Sequence, residues 1–291
     1  MQHRRLSATL CTFLVATLLG HTGQADAQSV RIFNTVKQKL EAGRKVVGVT
    51  VATADPDIYC AAADAGFDFV WIEMQHSPLT FSEVALMIWA CRDAPAIPFI
   101  RVPSATEGDI QKATDVGALG IIVPMVDSVE EIQDAVTFAH YPPIGTRSQG
   151  GGQYGALWGS DYRAAANENV MVVAMIENQT GVSLAEEIAN VEGVDVVFVA
   201  SSDLGSFTGL PQGNPEYERL VTIAKDATLG AGRALGGPLA WMSTRPEYNF
   251  FQAPTTTSLL RSGASVVLKA ANPCFDVPAG VAPVEGAGPC H

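Results

Sequence analysis

Positive charge is scarce in this chain: 18 lysines and arginines stand against 30 aspartates and glutamates, a formal net charge of −12 at pH 7. With no basic run, a phosphate backbone or an anionic lipid surface finds no electrostatic footprint, and no nucleic-acid partner is expected. Long apolar runs are missing too. The candidate at Leu10 to Leu19 falls short of the ~20 residues that cross a bilayer, so no membrane span is expected. Cysteine is sparse, five residues, with no CxxC pair and none close enough in sequence to a histidine for a zinc finger. No GxGxxG follows the first apolar strand and no phosphate-binding P-loop occurs, which argues against a doubly wound nucleotide-binding sheet.

The N-terminus reads as an address. Arg4 and Arg5 precede the apolar stretch, and Ala25-Asp26-Ala27 supplies a small-x-small cleavage pattern before Gln28. Residues 1–27 are therefore expected to be a signal peptide, and the mature protein is expected to be exported, most simply to a bacterial periplasm. Of the remaining cysteines, Cys60 and Cys91 fall in helix-like, apolar surroundings and read as core thiols. Cys274 and Cys290 bracket a Pro/Gly-rich tail at 272–291, where an oxidising compartment would allow a disulfide.

Between these ends, residues 28–271 suit one large domain. Short β-branched runs alternate with helical stretches. Strands are expected near Val46–Val51, Phe69–Ile72, Pro98–Arg101, Gly120–Pro124, Val170–Ile176, Val196–Ala200, Arg233–Gly236 and Ser265–Lys269. Helices are expected between most of them. Eight strands with crossover helices in this length predict an α/β fold of the (β/α)8, or TIM-barrel, class. The long Gly-, Ser- and Gln-rich segment from Tyr141 to Asn169 is expected to be a lid or an oligomer contact.

A barrel does its chemistry at the C-terminal ends of its strands. There the sequence places Glu73 and His76 after strand two, Arg101 after strand three, Glu177 after strand five and Asp203 after strand six. A charge next to an apolar strand costs several kcal/mol of desolvation unless something pairs it, so four such placements on one rim look organised. Two carboxylates with room for water suit a hard divalent cation, Mg²⁺ or Mn²⁺, better than zinc.

These residues carry a resemblance. The stretch Gly66-Phe67-Asp68-Phe69-Val70-Trp71-Ile72-Glu73-Met74-Gln75-His76 is similar to the GFDWLLIDGEH block of the HpcH/HpaI family of metal-dependent pyruvate aldolases. Asp115-Val116-Gly117-Ala118 through Val123-Pro124-Met125-Val126 resembles its DxGAxxLLVPMV block. Tyr141-Pro142-Pro143-Ile144-Gly145-Thr146-Arg147 matches YPPxGxR. Ile176-Glu177, Val191 to Asp195 and Phe198 to Leu204 follow in the family's order, so the match runs from about Gly48 to Gly263.

The resemblance implies a class II carbon–carbon lyase that cleaves a 4-hydroxy-2-oxo acid to pyruvate and an aldehyde through a metal-stabilised enolate. Glu177 and Asp203 would hold the divalent metal, with Co²⁺ a further candidate. Arg101 would bind the 2-oxo oxygen, and backbone N–H groups at Ser201 and Ser202 would receive the carboxylate. His76, paired with Asp115, would act as the base through a water on the metal. The implied partners are a 2-oxo acid and an aldehyde, in a homo-oligomer.

Some positions depart from the family pattern. Glu73-Met74-Gln75-His76 stands for acidic-Gly-acidic-His, Met175 for a glutamine, and Ala200-Ser201-Ser202-Asp203 for Gly-Pro-Ala-Asp; the strand-eight glycine and aspartate are replaced around Ala270 and Asn272. Three alternatives follow: a citrate-lyase-type enzyme, which would need a basic coenzyme A pocket that is not evident; a non-catalytic or degenerate 2-oxo-acid-binding barrel; and a Schiff-base aldolase using Lys269.

Overall fold

The computed structural model describes residues 30–271; the expected signal peptide, the tail and the Cys274–Cys290 pairing lie outside them. Eight parallel strands close into a barrel in sequence order. They are β1 (Val46–Val51), β2 (Phe69–Glu73), β3 (Ile97–Arg101), β4 (Gly120–Val123), β5 (Met171–Ile176), β6 (Val194–Val199), β7 (Ala234–Pro238) and β8 (Phe250–Thr255). Helix α1 (Thr35–Glu41) precedes them. The outer layer is α2 (Pro56–Ala63), α3 (Phe81–Ala90), α4 (Glu107–Asp115), α5 (Val129–Ala139), α6 (Tyr154–Trp158), α7 (Tyr162–Asn169), α8 (Gln179–Ser183), α9 (Ala185–Asn190), α10 (Ser201–Thr208), α11 (Pro215–Gly230) and α12 (Thr256–Ala271).

The helix starts are written in the sequence. Asp55 caps α2 ahead of Pro56, Thr80 and Glu83 form a capping box on α3, and Ser128 caps α5. Each cap satisfies backbone N–H groups that the first helical turn leaves without partners.

Strand alternation fills the barrel. Phe69, Phe99 and Phe250 come from different strands, yet their rings lie 4.5–5.9 Å apart, so all three point inward. One layer nearer the C-terminal mouth, Trp71 meets Phe198 edge-on at 5.2 Å. Gly48 and Gly120 make room for these rings: a Cβ at either would fall within 2.0 Å of the Phe69 or Phe99 ring. By the same alternation Glu73 and Arg101 project inward at the mouth, two residues beyond Trp71 and Phe99.

Three expectations are corrected. Ser265–Lys269 is not a strand but part of α12, and the eighth strand is Phe250–Thr255. Val266 and Val267 imitate a strand, whereas Pro254 disguises a real one; it is tolerated because it lies at the strand's exposed end. Lys269 therefore lies on an outer helix, not at a strand end. The family's strand-eight positions likewise fall before α12, not around Ala270 and Asn272. Second, Cys60 and Cys91 form a disulfide, with Cα atoms 5.4 Å apart, because it joins neighbouring helices α2 and the end of α3. Third, the segment 141–169 contains α6 and α7 and connects α5 to the start of β5. It packs at the base of the barrel, where a lid over the mouth cannot arise.

Candidate active site at the barrel mouth

Glu73 ends β2 and is 5% exposed. Its Oε2 accepts from Arg101 Nε at 2.6 Å and Nη2 at 2.5 Å, and from Trp71 Nε1 at 3.3 Å. Its Oε1 accepts the backbone N–H groups of Gln75 and His76, both at 2.9 Å. One carboxylate thus fixes the arginine and the turn that carries His76. The Arg101 guanidinium lies over the Trp71 ring at 5.7 Å, and its Nη1 is 3.9 Å from Met175 Sδ. Two guanidinium nitrogens on one carboxylate oxygen hold Arg101 in one orientation inside the mouth, an arrangement a lysine cannot reproduce.

Glu177 follows β5 directly and Asp203 lies in the first turn of α10, just after β6. These neighbouring strands bring the two acids to one side of the mouth. Glu177 is 2% exposed, and its Oε1 has no hydrogen-bond partner. Its pKa is pushed up to about 7, first by burial and then by the negative charge of Asp203. Arg101 and the backbone N–H of Met125 pull in the opposite direction, and Glu73 adds to the rise. Met125 holds φ at 56°, a left-handed conformation rare for a side chain with a Cβ. That strained turn is what aims its N–H at Glu177.

A cavity of about 160 Å³ opens at the mouth, lined by Arg101, Met175, Ser201, Ser202, Asp203 and Gln252 among others. Ser201 and Ser202 open α10, so the first backbone N–H groups of that helix face the cavity end. The hydroxyl of Tyr217 anchors this helix start by donating to the Ser201 carbonyl at 3.0 Å.

The fit of a metal can be judged from the donors. Glu177 carries a buried oxygen with no partner, beside a second carboxylate that raises its pKa, and both ligands are hard oxygens. This fits a divalent cation of the Mg²⁺ or Mn²⁺ type, with its other positions filled by water or substrate. Among the described residues no group of three or more His, Cys, Asp or Glu side chains clusters as a closed metal site. A two-carboxylate site is open by construction.

The mouth brings together Arg101, Glu177, Asp203, Ser201 and Ser202, with His76 on its rim. Asp115 is not brought to it. As the last residue of α4, which runs back against the strands, it lies at the base. There its Oδ1 accepts from Arg147 Nη2 at 3.1 Å and its Oδ2 from Gln111 at 3.0 Å. Arg147 is buried among Tyr141, Tyr154 and Tyr162. A strand length of roughly 15–20 Å separates the two ends of the barrel, so within one chain Asp115 does not orient His76. The His76 ring is exposed and makes no hydrogen bond among the described residues. Sequence reasoning missed Met125, Trp71 and Gln252. Only the pairing of Val126 N–H with the Met175 carbonyl, which draws the β4 turn over β5, reveals Met125.

A closed (β/α)8 barrel with two carboxylates and a carboxylate-paired arginine at the C-terminal mouth belongs to the class of barrels whose sites are built from strand ends. Residues 47–255 match the family model described as HpcH/HpaI aldolase/citrate lyase, and the chain belongs to that family of carbon–carbon lyases. Over 208 residues it is 29% identical to the 2-keto-3-deoxy-L-rhamnonate aldolase of Escherichia coli O9:H4 (strain HS), covering 70% of this chain and 78% of that protein. Among solved structures, an HpcH/HpaI aldolase/citrate lyase family protein from Burkholderia cenocepacia J2315 is 27% identical with a TM-score of 0.75, covering 82% of this chain and 100% of that one. An HpcH/HpaI aldolase from Desulfitobacterium hafniense DCB-2 is 25% identical with a TM-score of 0.73, covering 85% and 98%.

Proposed function

We propose that this protein is a divalent-metal-dependent, class II pyruvate aldolase acting on a 4-hydroxy-2-oxo acid. The observation that carries the reading is the buried, partnerless Glu177 oxygen, which feels the charges of Asp203 and Arg101, two residues that line one cavity at the mouth. In cleavage, the C3–C4 bond breaks, the 4-hydroxyl gives up its proton as C4 becomes the aldehyde carbon, and C3 gains a proton to become the pyruvate methyl. A divalent cation held by Glu177 and Asp203 supplies Lewis acidity at the 2-oxo group.

The chain's own groups do the remaining work. Arg101, locked by Glu73, donates to the 2-oxo oxygen, where negative charge develops. The N–H groups at Ser201 and Ser202 receive the carboxylate. His76 stands on the rim as the proton acceptor for the 4-hydroxyl. The disulfide between Cys60 and Cys91 supports export to an oxidising compartment, the periplasm in our reading.

The discriminating experiment measures pyruvate release from 4-hydroxy-2-oxo acids with EDTA and after adding back Mn²⁺ or Mg²⁺. Loss on chelation and recovery on metal addition are expected; full activity in EDTA would overturn the metal-dependent reading. One observation favours a second reading, a 2-oxo-acid-binding barrel without turnover: among the described residues no carboxylate orients the His76 ring. His76→Ala separates the two. An aldolase loses roughly 10²–10⁴-fold in rate while retaining 2-oxo-acid binding. A binding protein shows binding and no turnover in either form.

A further inference from the structure

The mouth of the barrel is chemically divided. Glu177, Asp203 and Arg101 leave β5, β6 and β3, so the groups suited to a 2-oxo acid occupy one arc. Across the closed barrel from β5 and β6 lie β1 and β2, with β8 beside β1. The strand ends of this far arc carry no lysine or arginine. Beside Glu73, which Arg101 already pairs, and His76 on the rim, they carry neutral hydrogen-bonding groups: Thr50 and Thr53 from β1 and its loop, Gln75 after β2, and Gln252 and Thr256 from β8 and the start of α12.

Gln252 is the member of this arc that lines the cavity with Arg101, Ser202 and Asp203. It faces inward through strand alternation. Phe250 joins the interior rings, Phe251 turns outward to Lys45, and Gln252 turns in again one layer nearer the mouth. Its Nε2 donates to Thr50 Oγ1 at 3.3 Å, and that hydroxyl donates to the Ala253 carbonyl at 3.1 Å. The relay fixes the amide and leaves its carbonyl oxygen without a protein partner among the described residues. On the same arc Thr53 Oγ1, Gln75 Oε1 and Thr256 Oγ1 are shut from solvent yet have no hydrogen-bond partner. Unpaired polar atoms are costly, and three of them follow the ends of the adjoining strands β8, β1 and β2, where a polar ligand reaching this arc would relieve them.

We infer that the β8–β1–β2 arc is the subsite for the aldehyde-derived half of the substrate, and that Gln252 selects a neutral, hydroxyl-bearing chain there. The inference rests on the aldolase reading above. A neutral amide can accept from or donate to a substrate hydroxyl. It offers nothing to an apolar chain, and an arc without lysine or arginine gives no fixed positive charge to repay desolvating a second carboxylate.

The test is the ratio of kcat/KM values for pyruvate addition to glycolaldehyde against propanal and against glyoxylate, with Mn²⁺ present. A ratio does not depend on how much of a variant is folded. The parent protein is expected to favour glycolaldehyde over propanal by roughly tenfold, the scale of one hydrogen bond to a neutral group. Gln252→Leu and Gln252→Ala should bring that ratio to within about twofold of unity, and Gln252→Asn should retain part of it. A parent that prefers propanal or glyoxylate, or variants that keep the parent ratio, would overturn the assignment. Deuterium exchange into the pyruvate methyl, run without aldehyde, separates the two levels. Exchange with an unmoved ratio sinks the subsite alone, whereas no exchange and no addition in the parent sinks the aldolase reading and the subsite with it.

Discussion

Glu177 concentrates the chemistry of this site in one titration. Its pKa is raised to about 7 by burial and by Asp203, so in the metal-free protein folding favours its protonated form. The associated stability is fully present below the unfolded value of 4.5 and is lost as pH rises through about 7. Thermal melts of chelated protein between pH 4.5 and 8 should therefore show the parent losing stability relative to Glu177→Gln as pH increases. A cation must displace the same proton, so Mn²⁺ affinity should rise about tenfold per pH unit up to roughly neutrality and then level off. Titration calorimetry of the parent and Glu177→Gln checks this, and a pH-independent affinity would remove Glu177 from the metal. Arg101 makes a different prediction. Arg101→Lys keeps a charge but loses the fork that Glu73 grips, so turnover should fall roughly 10²–10³-fold with cation affinity little changed. Unchanged turnover would make Arg101 a residue of the fold only.

At the scale of elements, α2 and α3 flank the strand that delivers Glu73 and His76, and the Cys60–Cys91 disulfide ties them together. The bond closes a loop across 31 residues of sequence. Removing it with paired Cys60→Ala and Cys91→Ala changes should cost roughly 2–4 kcal/mol, about 5–10 °C in Tm for a domain of this size. An unchanged melting temperature under oxidising conditions would show that the thiols are free in solution. The apolar context of both cysteines is equally compatible with a buried thiol, and only the packing of two helices brings their Cα atoms within bonding range. The element at 250–255 shows the same limit. A strand ending in Pro254 and a helix containing Val266-Val267 invert the local propensities, and barrel closure decides between them.

At the scale of the whole molecule, α12 stands out because no residue on it is buried. Leu260, Val266 and Val267 are 67–68% exposed, a row of apolar side chains on a strongly amphipathic helix. Among the described residues no helix is long and apolar enough to cross a membrane. A homo-oligomer, as expected from the family resemblance, would cover this face. Light scattering should therefore find more than one chain per particle, and a Leu260→Asp, Val267→Asp double change should shift the particle toward a monomer. A monomeric parent protein would refute it.

What the sequence determined by itself is local or periodic. Alternating apolar runs specified seven of the eight strands, Asp, Thr and Ser caps specified helix starts, and the positions directly after strands specified Arg101, Glu177 and Asp203 as rim residues. These follow from chain geometry, because a residue just past a buried strand has only the mouth to occupy. Tertiary structure decided whatever depends on which ends of elements meet. It sent Asp115 to the base with Arg147, since α4 runs antiparallel to the strands. It gave Glu73 to Arg101 across two adjacent strands and turned Met125 toward Glu177. It also set Gln252 into the cavity beside Asp203. Each is a contact between residues distant in sequence, fixed by barrel closure and register, which no single stretch of chain encodes.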